Sequence, residues 1–100
     1  MTAGGRGGLA AALEQVGQRW ALLVIAELLD GAQRYGDLQR SLGVPTNILA
    51  TRLKELQEAG VVVRVPMSHN VLAYELTDRG RGLAGAIAEL ARWGEPAEQP

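Results

Sequence analysis

One hundred residues with 47% apolar content suffice for one domain with a packed core, burying roughly 60–65% of the unfolded chain's surface. The absence of cysteine and the single histidine, His69, exclude disulfides, thiolate metal sites, thiol redox sensing and a histidine metal cluster, so no cofactor is expected. No apolar run approaches the ~20 residues that span a bilayer and the first residues lack a signal-peptide pattern; this predicts a cytoplasmic protein with no membrane partner, while a formal net charge of −1 rules out a uniformly basic surface.

Met1 to Gly8 is glycine-rich with one arginine and reads as a disordered N-terminal tail. The domain then spans residues 9–94. Leu9, Leu13, Val16 and Trp20 recur at helical spacing and predict a first helix with an apolar stripe. Trp20 to Leu29 is apolar on nearly every side, as in a central helix buried on most of its faces. Asp30-Gly31 ends it, Gly31 being suited to a left-handed cap. Arg34 to Leu42 is a third helix that turns Tyr35, Leu38 and Leu42 inward. Gly43-Val44-Pro45 is a turn, and Pro45 fits the first turn of the next helix, where its missing N–H costs nothing.

That next helix runs from Pro45 to Ala59 and stops at Gly60. Val61 to Val65 is β-branched and reads as a strand, with Val71 to Leu76 as its partner and Pro66 to Asn70 as the connecting loop. Thr77 caps a last helix whose Leu83, Ile87, Leu90 and Gly94 form one stripe. Glu95 to Pro100 is acidic, contains proline, and reads as a flexible tail. There are no internal repeats. The fold class is mainly α with a small antiparallel β-hairpin: a winged helix-turn-helix of about five helices plus a two-stranded wing.

The Pro45–Ala59 helix carries the chemistry. Leu49, Leu53 and Leu56 share one face, and Asn47, Thr51 and Lys54 recur on the opposite one. A small, hydrogen-bonding outer face with one cation suits a helix pressed into the major groove of double-stranded DNA. From Gln33 to Val65 the cations Arg34, Arg40, Arg52, Lys54 and Arg64 outnumber Asp37, Glu55 and Glu58 by two, leaving −3 for the rest of the chain. Phosphate binding follows the local field more than total charge, and a surplus of two predicts modest non-specific affinity with a shallow salt slope.

Four segments resemble the HxlR-type winged-helix transcription regulators, relatives of the MarR regulators. Val16-Gly17-Gln18-Arg19-Trp20-Ala21-Leu22-Leu23 is similar to the family's glycine, basic residue, tryptophan and apolar run. Glu27-Leu28-Leu29-Asp30-Gly31 with Arg34-Tyr35-Gly36-Asp37-Leu38 resembles its "REL-x-G…RF-x-EL" segment. Leu49-Ala50-Thr51-Arg52-Leu53-Lys54-Glu55-Leu56 resembles "L-[ST]-x-RLKEL", and Tyr74-Glu75-Leu76-Thr77-Asp78-Arg79-Gly80 resembles "Y-x-LT-x-x-G". The resemblance implies a homodimer, formed through the terminal helices, that binds operator DNA near promoters. Three departures stand out. Where many members carry a sensing cysteine before the first helix, this chain has glycine and alanine. Pro45 replaces the usual serine before the recognition helix. The wing reads Asn70-Val71-Leu72-Ala73-Tyr74 where the family tends to hold "P-R-V-E-Y".

The DNA-binding candidates are accordingly Arg34, Arg40, Thr46, Asn47, Ala50, Thr51, Arg52, Lys54, Arg64 and His69. Asn47 and Thr51 are placed to read base edges, Lys54 to approach phosphate, and Thr46 either to touch phosphate or to cap the helix. Arg52, on the helix flank, either reaches phosphate or pairs with Asp37 or Glu55 to hold the helix-turn-helix angle. Arg34 and Arg40 are backbone candidates at the ends of the third helix; Arg64 and His69 are the polar candidates of the wing. The dimer-interface candidates are Leu9, Leu13, Val16, Trp20, Leu83, Ile87, Leu90 and Trp93. An enzyme is disfavoured, because the chain lacks a phosphate loop, a catalytic acid pair and an activated nucleophile. No residue constellation announces a small-molecule effector. The alternative function is a winged-helix protein–protein interaction module with little DNA affinity, favoured by the near-neutral charge and the valine-rich wing.

Overall fold

The structure is a computed structural model that describes residues 4–97. In chain order it contains α1 (Gly4–Val16), α2 (Ala21–Leu28), α3 (Tyr35–Leu42), α4 (Thr46–Glu58), β1 (Val62–Ser68), β2 (Val71–Leu76), α5 (Asp78–Arg81) and α6 (Ala84–Gly94). The helix-turn-helix is α3–α4, and the antiparallel β1–β2 ribbon is the wing. The mainly α, winged-helix class inferred from the sequence is the observed one.

Core positions follow the periodicity of each element. Leu49, Leu53 and Leu56 of α4 are fully buried, each contributing roughly 1.5–3 kcal/mol by leaving water. They pack with Val24, Ile25 and Leu28 of α2, Leu38 of α3, Val44 of the turn, and Val61, Val62 and Leu76 at the base of the wing. α2 is central, touching α3, α4, α6 and β2. Leu23 breaks its burial and stands exposed.

Several boundaries differ from the sequence reading. α1 begins at Gly4 rather than Leu9, so Gly4 to Gly8 continue a helix where a disordered tail is expected from composition; Met1 to Ala3 lie outside the described residues. β1 runs through Pro66 and Met67 to Ser68, leaving only His69-Asn70 as the turn, with Asn70 at φ 55°. Val61 O accepts from Thr77 N, so the ladder bonds fall on alternate positions and the Pro66 nitrogen points to the unpaired edge, the place in a strand that tolerates proline. β2 is paired on its other side as well, since Gln33 and Tyr74 exchange backbone hydrogen bonds of 3.0 and 2.8 Å.

The single last helix expected after Thr77 is two. Thr77 does cap a helix, its Oγ1 accepting from Gly80 N at 3.1 Å, but this is the short α5. Tight i→i+3 bonds from Gly82 N to Arg79 O and from Leu83 N to Gly80 O follow, and α6 starts at Ala84. Gly80, Gly82 and Gly85 are poor helix formers and make the interruption inexpensive. Of the expected acidic tail, Glu95 to Ala97 follow the helix without further structure, and Glu98 to Pro100 lie outside the described residues.

Candidate nucleic-acid interface

The α3–α4 turn is held at three points. Gly43 takes φ 70° and closes α3, its N–H bonding Gln39 O, a conformation that glycine adopts without the Cβ penalty. Gln39 Nε2 donates to Val44 O at 3.0 Å, and Val44 itself is fully buried. Tyr35 Oη donates to Thr46 O and shares a 2.8 Å hydrogen bond with Thr46 Oγ1. The first turn of α3 is thereby stitched to the first turn of α4. Pro45 stands at the N-cap without a side-chain cap, where serine is usual in the resembled pattern.

With the leucine stripe of α4 inside, Thr46, Asn47, Ala50, Thr51 and Lys54 are all exposed. Thr51 Oγ1 donates to Asn47 O at 3.1 Å, which leaves its lone pairs and methyl group facing outward. The Asn47 amide and the Lys54 ammonium have no hydrogen-bond or ion-pair partner among the described residues. The outer face therefore offers an unengaged amide, a hydroxyl acceptor and a cation side by side, the groups that read base edges and phosphate.

Arg52 is the flank residue whose two readings the structure separates. Its Nε donates to Arg19 O at 2.7 Å, and its Nη1 bonds Glu55 at 3.2 Å. With 18% of its side chain accessible, it holds the α1–α2 turn against α4. That turn is distinctive: Trp20 sits at φ 78°, a rare conformation for a bulky residue, and the Arg19 guanidinium stacks 5.8 Å from the Trp20 ring centre. The partner sought for Arg52 in Asp37 lies elsewhere. Asp37 is shared by Arg34 Nε, at 3.2 Å, and Arg40 Nη2. The hydrogen bond from Arg34, with the charges of Arg34 and Arg40, holds the Asp37 carboxyl below the usual carboxylate range against partial desolvation.

On the wing, Arg64 is exposed opposite Tyr74, and His69 is exposed at the tip. Arg64 has no ion-pair partner among the described residues. Val63, Met67 and Leu72 are exposed too, so the ribbon presents much apolar surface around its one cation.

The interface candidates on the terminal helices fall into three groups. Val16 is 6% exposed and belongs to the core, a correction to its place in the proposed interface stripe: it closes α1, the helix that packs on α4. Trp20, Leu83 and Ile87 are half-buried against the core. Leu9, Leu13, Leu90 and Trp93 remain exposed, Trp93 at 85%. Sequence reasoning missed Leu23, 53% exposed, which with Leu22, Ala26, Ile87, Leu90 and Ala91 lines an apolar groove between α2 and α6. The available signal was the surplus of apolar residues around α2, more than one small domain buries. Among the described residues no set of histidine or acidic side chains could hold a metal, and none of the helices is long and apolar enough to cross a membrane.

A family model for the HxlR-like helix-turn-helix matches residues 15–100. The chain belongs to the HxlR-like helix-turn-helix family. An uncharacterized HTH-type transcriptional regulator of Mycobacterium tuberculosis is 45% identical over 86 residues, covering 84% of this chain and 54% of that protein. YvaP of Bacillus subtilis, also an uncharacterized HTH-type transcriptional regulator, is 35% identical over 85 residues, covering 82% and 79%. Among solved structures, PA1607, whose proposed role is that of a transcription factor, superposes with TM-score 0.82 at 38% identity, covering 92% of this chain and 69% of that one. The reduced form of the transcriptional regulator YodB from B. subtilis gives 0.79 at 28% identity, covering 98% and 99%. The relatives and neighbours are named as transcriptional regulators, not enzymes. The chain spans about half the length of the mycobacterial relatives it matches.

Proposed function

We propose that this HxlR-like protein is a sequence-specific transcriptional regulator that acts in the cytoplasm as a homodimer, with α4 in the major groove of operator DNA. The observation that carries the reading is the division of α4: a buried leucine stripe opposite an exposed face of Thr46, Asn47, Thr51 and Lys54. Asn47 pairs best with adenine, Thr51 accepts from a base edge or meets a thymine methyl, and Lys54 meets phosphate. Exposed Leu9 and Leu13 of α1 with Leu90 and Trp93 of α6 supply apolar surface for a two-fold contact. Such a dimer sets two α4 helices about one DNA turn, roughly 34 Å, apart.

Fluorescence anisotropy with a duplex from the gene's own upstream region, titrated over salt and compared with a scrambled duplex, tests the reading. Sequence-dependent binding at physiological salt is expected. Equal affinity for both duplexes removes base readout, and no binding by a folded, dimeric sample moves the assignment to the second reading. That reading, a protein-interaction module, is favoured by one observation: Val63, Met67 and Leu72 lie exposed on a ribbon whose β1 edge is unpaired among the described residues.

A further inference from the structure

The four exposed cations of the α3, α4 and wing surfaces are not equivalent. Lys54 and Arg64 have no acidic partner among the described residues, whereas Arg34 and Arg40 converge on one carboxylate, Asp37. Arg34 Nε takes Oδ2 and Arg40 Nη2 takes Oδ1, so both oxygens are used. The Arg40 guanidinium lies back along α3 over Gly36, whose added Cβ would sit 3.4 Å from Arg40 Nη1. All three side chains stay accessible to solvent, and ion pairs of that exposure contribute little to fold stability. The cluster adjoins the end of α3 that Tyr35 stitches to the start of α4, so it borders the face assigned to DNA.

We propose that Asp37 is a charge brake on this DNA interface, withholding Arg34 and Arg40 from phosphate and so lowering affinity for DNA of every sequence. The inference rests on the DNA-binding reading above. A phosphate meeting Arg34 or Arg40 has to share or displace the carboxylate, and it also feels the carboxylate's own repulsion. Base readout by Asn47 and Thr51 is untouched by this exchange. The penalty therefore falls on every sequence alike, and base contacts alone set the difference between one site and another. The low-lying carboxyl of Asp37 keeps the brake charged throughout the neutral range.

Asp37→Asn tests it, measured by anisotropy on a scrambled duplex and on the upstream duplex from about 50 to 200 mM salt. Releasing one or two phosphate contacts should steepen the log–log salt slope by about 0.9 to 1.8 and raise affinity for scrambled DNA roughly three- to tenfold near physiological salt. The ratio of upstream to scrambled affinity should stay the same, because both duplexes gain alike. Asp37→Glu, which keeps the charge, should behave as the wild type. Adding Arg34→Gln and Arg40→Gln to Asp37→Asn should cancel the gain. An unchanged or weaker Asp37→Asn slope on DNA that the wild type binds overturns the brake and leaves the DNA reading standing, as does a gain that survives loss of both arginines. No binding by wild type or variant at about 50 mM salt, from folded protein, overturns both.

Discussion

Gly80 should tolerate no side chain, although its backbone is ordinary. It lies in α5, is buried, and its φ falls outside the left-handed region, so the restriction is purely steric. A Cβ built there sits 2.4 Å from Val61 O, 3.1 Å from Leu76 Cδ2 and 3.2 Å from Val61 Cγ1. The oxygen cannot yield freely, because it accepts from Thr77 N at 3.0 Å and from Thr77 Oγ1 at 3.2 Å. Gly80 N is itself tied to Thr77 Oγ1. Separating α5 from the base of β1 thus strains or breaks the Thr77 bonds and reopens packing around Val61 and Leu76. Overpacking of this kind costs about 1–3 kcal/mol, and a weakened hydrogen bond adds about 1 kcal/mol. The gain in helix propensity from Gly to Ala returns roughly 0.5–1 kcal/mol. Gly80→Ala should therefore lose about 1–3.5 kcal/mol, a fall in Tm of roughly 4–28 °C for a domain of this size. Gly85→Ala is the control: it lies in α6 with nothing within 4 Å of the added Cβ and should be neutral or gain up to ~1 kcal/mol. Urea and thermal unfolding followed by far-UV circular dichroism measure both. A Gly80→Ala protein within about 0.5 kcal/mol of wild type, or an equal loss for Gly85→Ala, would refute the close approach of α5 to β1.

Asn47→Ala should cost about 1–3 kcal/mol on the cognate duplex and relax preference at one base pair, whereas Lys54→Gln should weaken all duplexes alike and flatten the salt slope by about 0.9; equal losses on cognate and scrambled DNA would move Asn47 to the backbone-contact class. Arg52→Met should destabilise by about 1–2 kcal/mol through loss of the charged bond to Arg19 O. It should leave the salt slope unchanged, and a flatter slope would return Arg52 to the phosphate-contacting set. Leu90→Glu, at an exposed site, should preserve the fold but give monomers by analytical ultracentrifugation with weaker operator binding. A variant that remains dimeric at low micromolar concentration would remove α6 from the interface.

Much of the molecule was readable in local pattern. The 3.6-residue period placed Leu49, Leu53 and Leu56 inside and Asn47, Thr51 and Lys54 outside, because a helix fixes the angular relation of its own side chains whatever surrounds it. Gly43-Val44-Pro45 named the turn for the same local reason: a left-handed glycine and a proline that donates no hydrogen bond suit a tight helix-to-helix connection. The run of β-branched residues after Gly60 located the wing. The extension of β1 through Pro66 was hidden, since proline reads as a breaker unless its nitrogen is known to face an unpaired edge.

What local pattern left open was which neighbour covers each face. Val16 shares a stripe with Leu9 and Leu13, yet of the three it alone joins the core cluster, a division the stripe itself does not reveal. Leu23 sits in a helix apolar on nearly every side, and only the placement of α6 leaves it at an open groove. Arg52 found its partner 33 residues away, in the carbonyl presented by the turn before Trp20. The chain by itself determined the elements, their inward faces and the polar face of α4, all consequences of backbone periodicity. The tertiary structure decided the commitment of Arg52, the steric demand at Gly80 and the division of the terminal helices into core and free surface, because those depend on contacts between segments far apart in sequence.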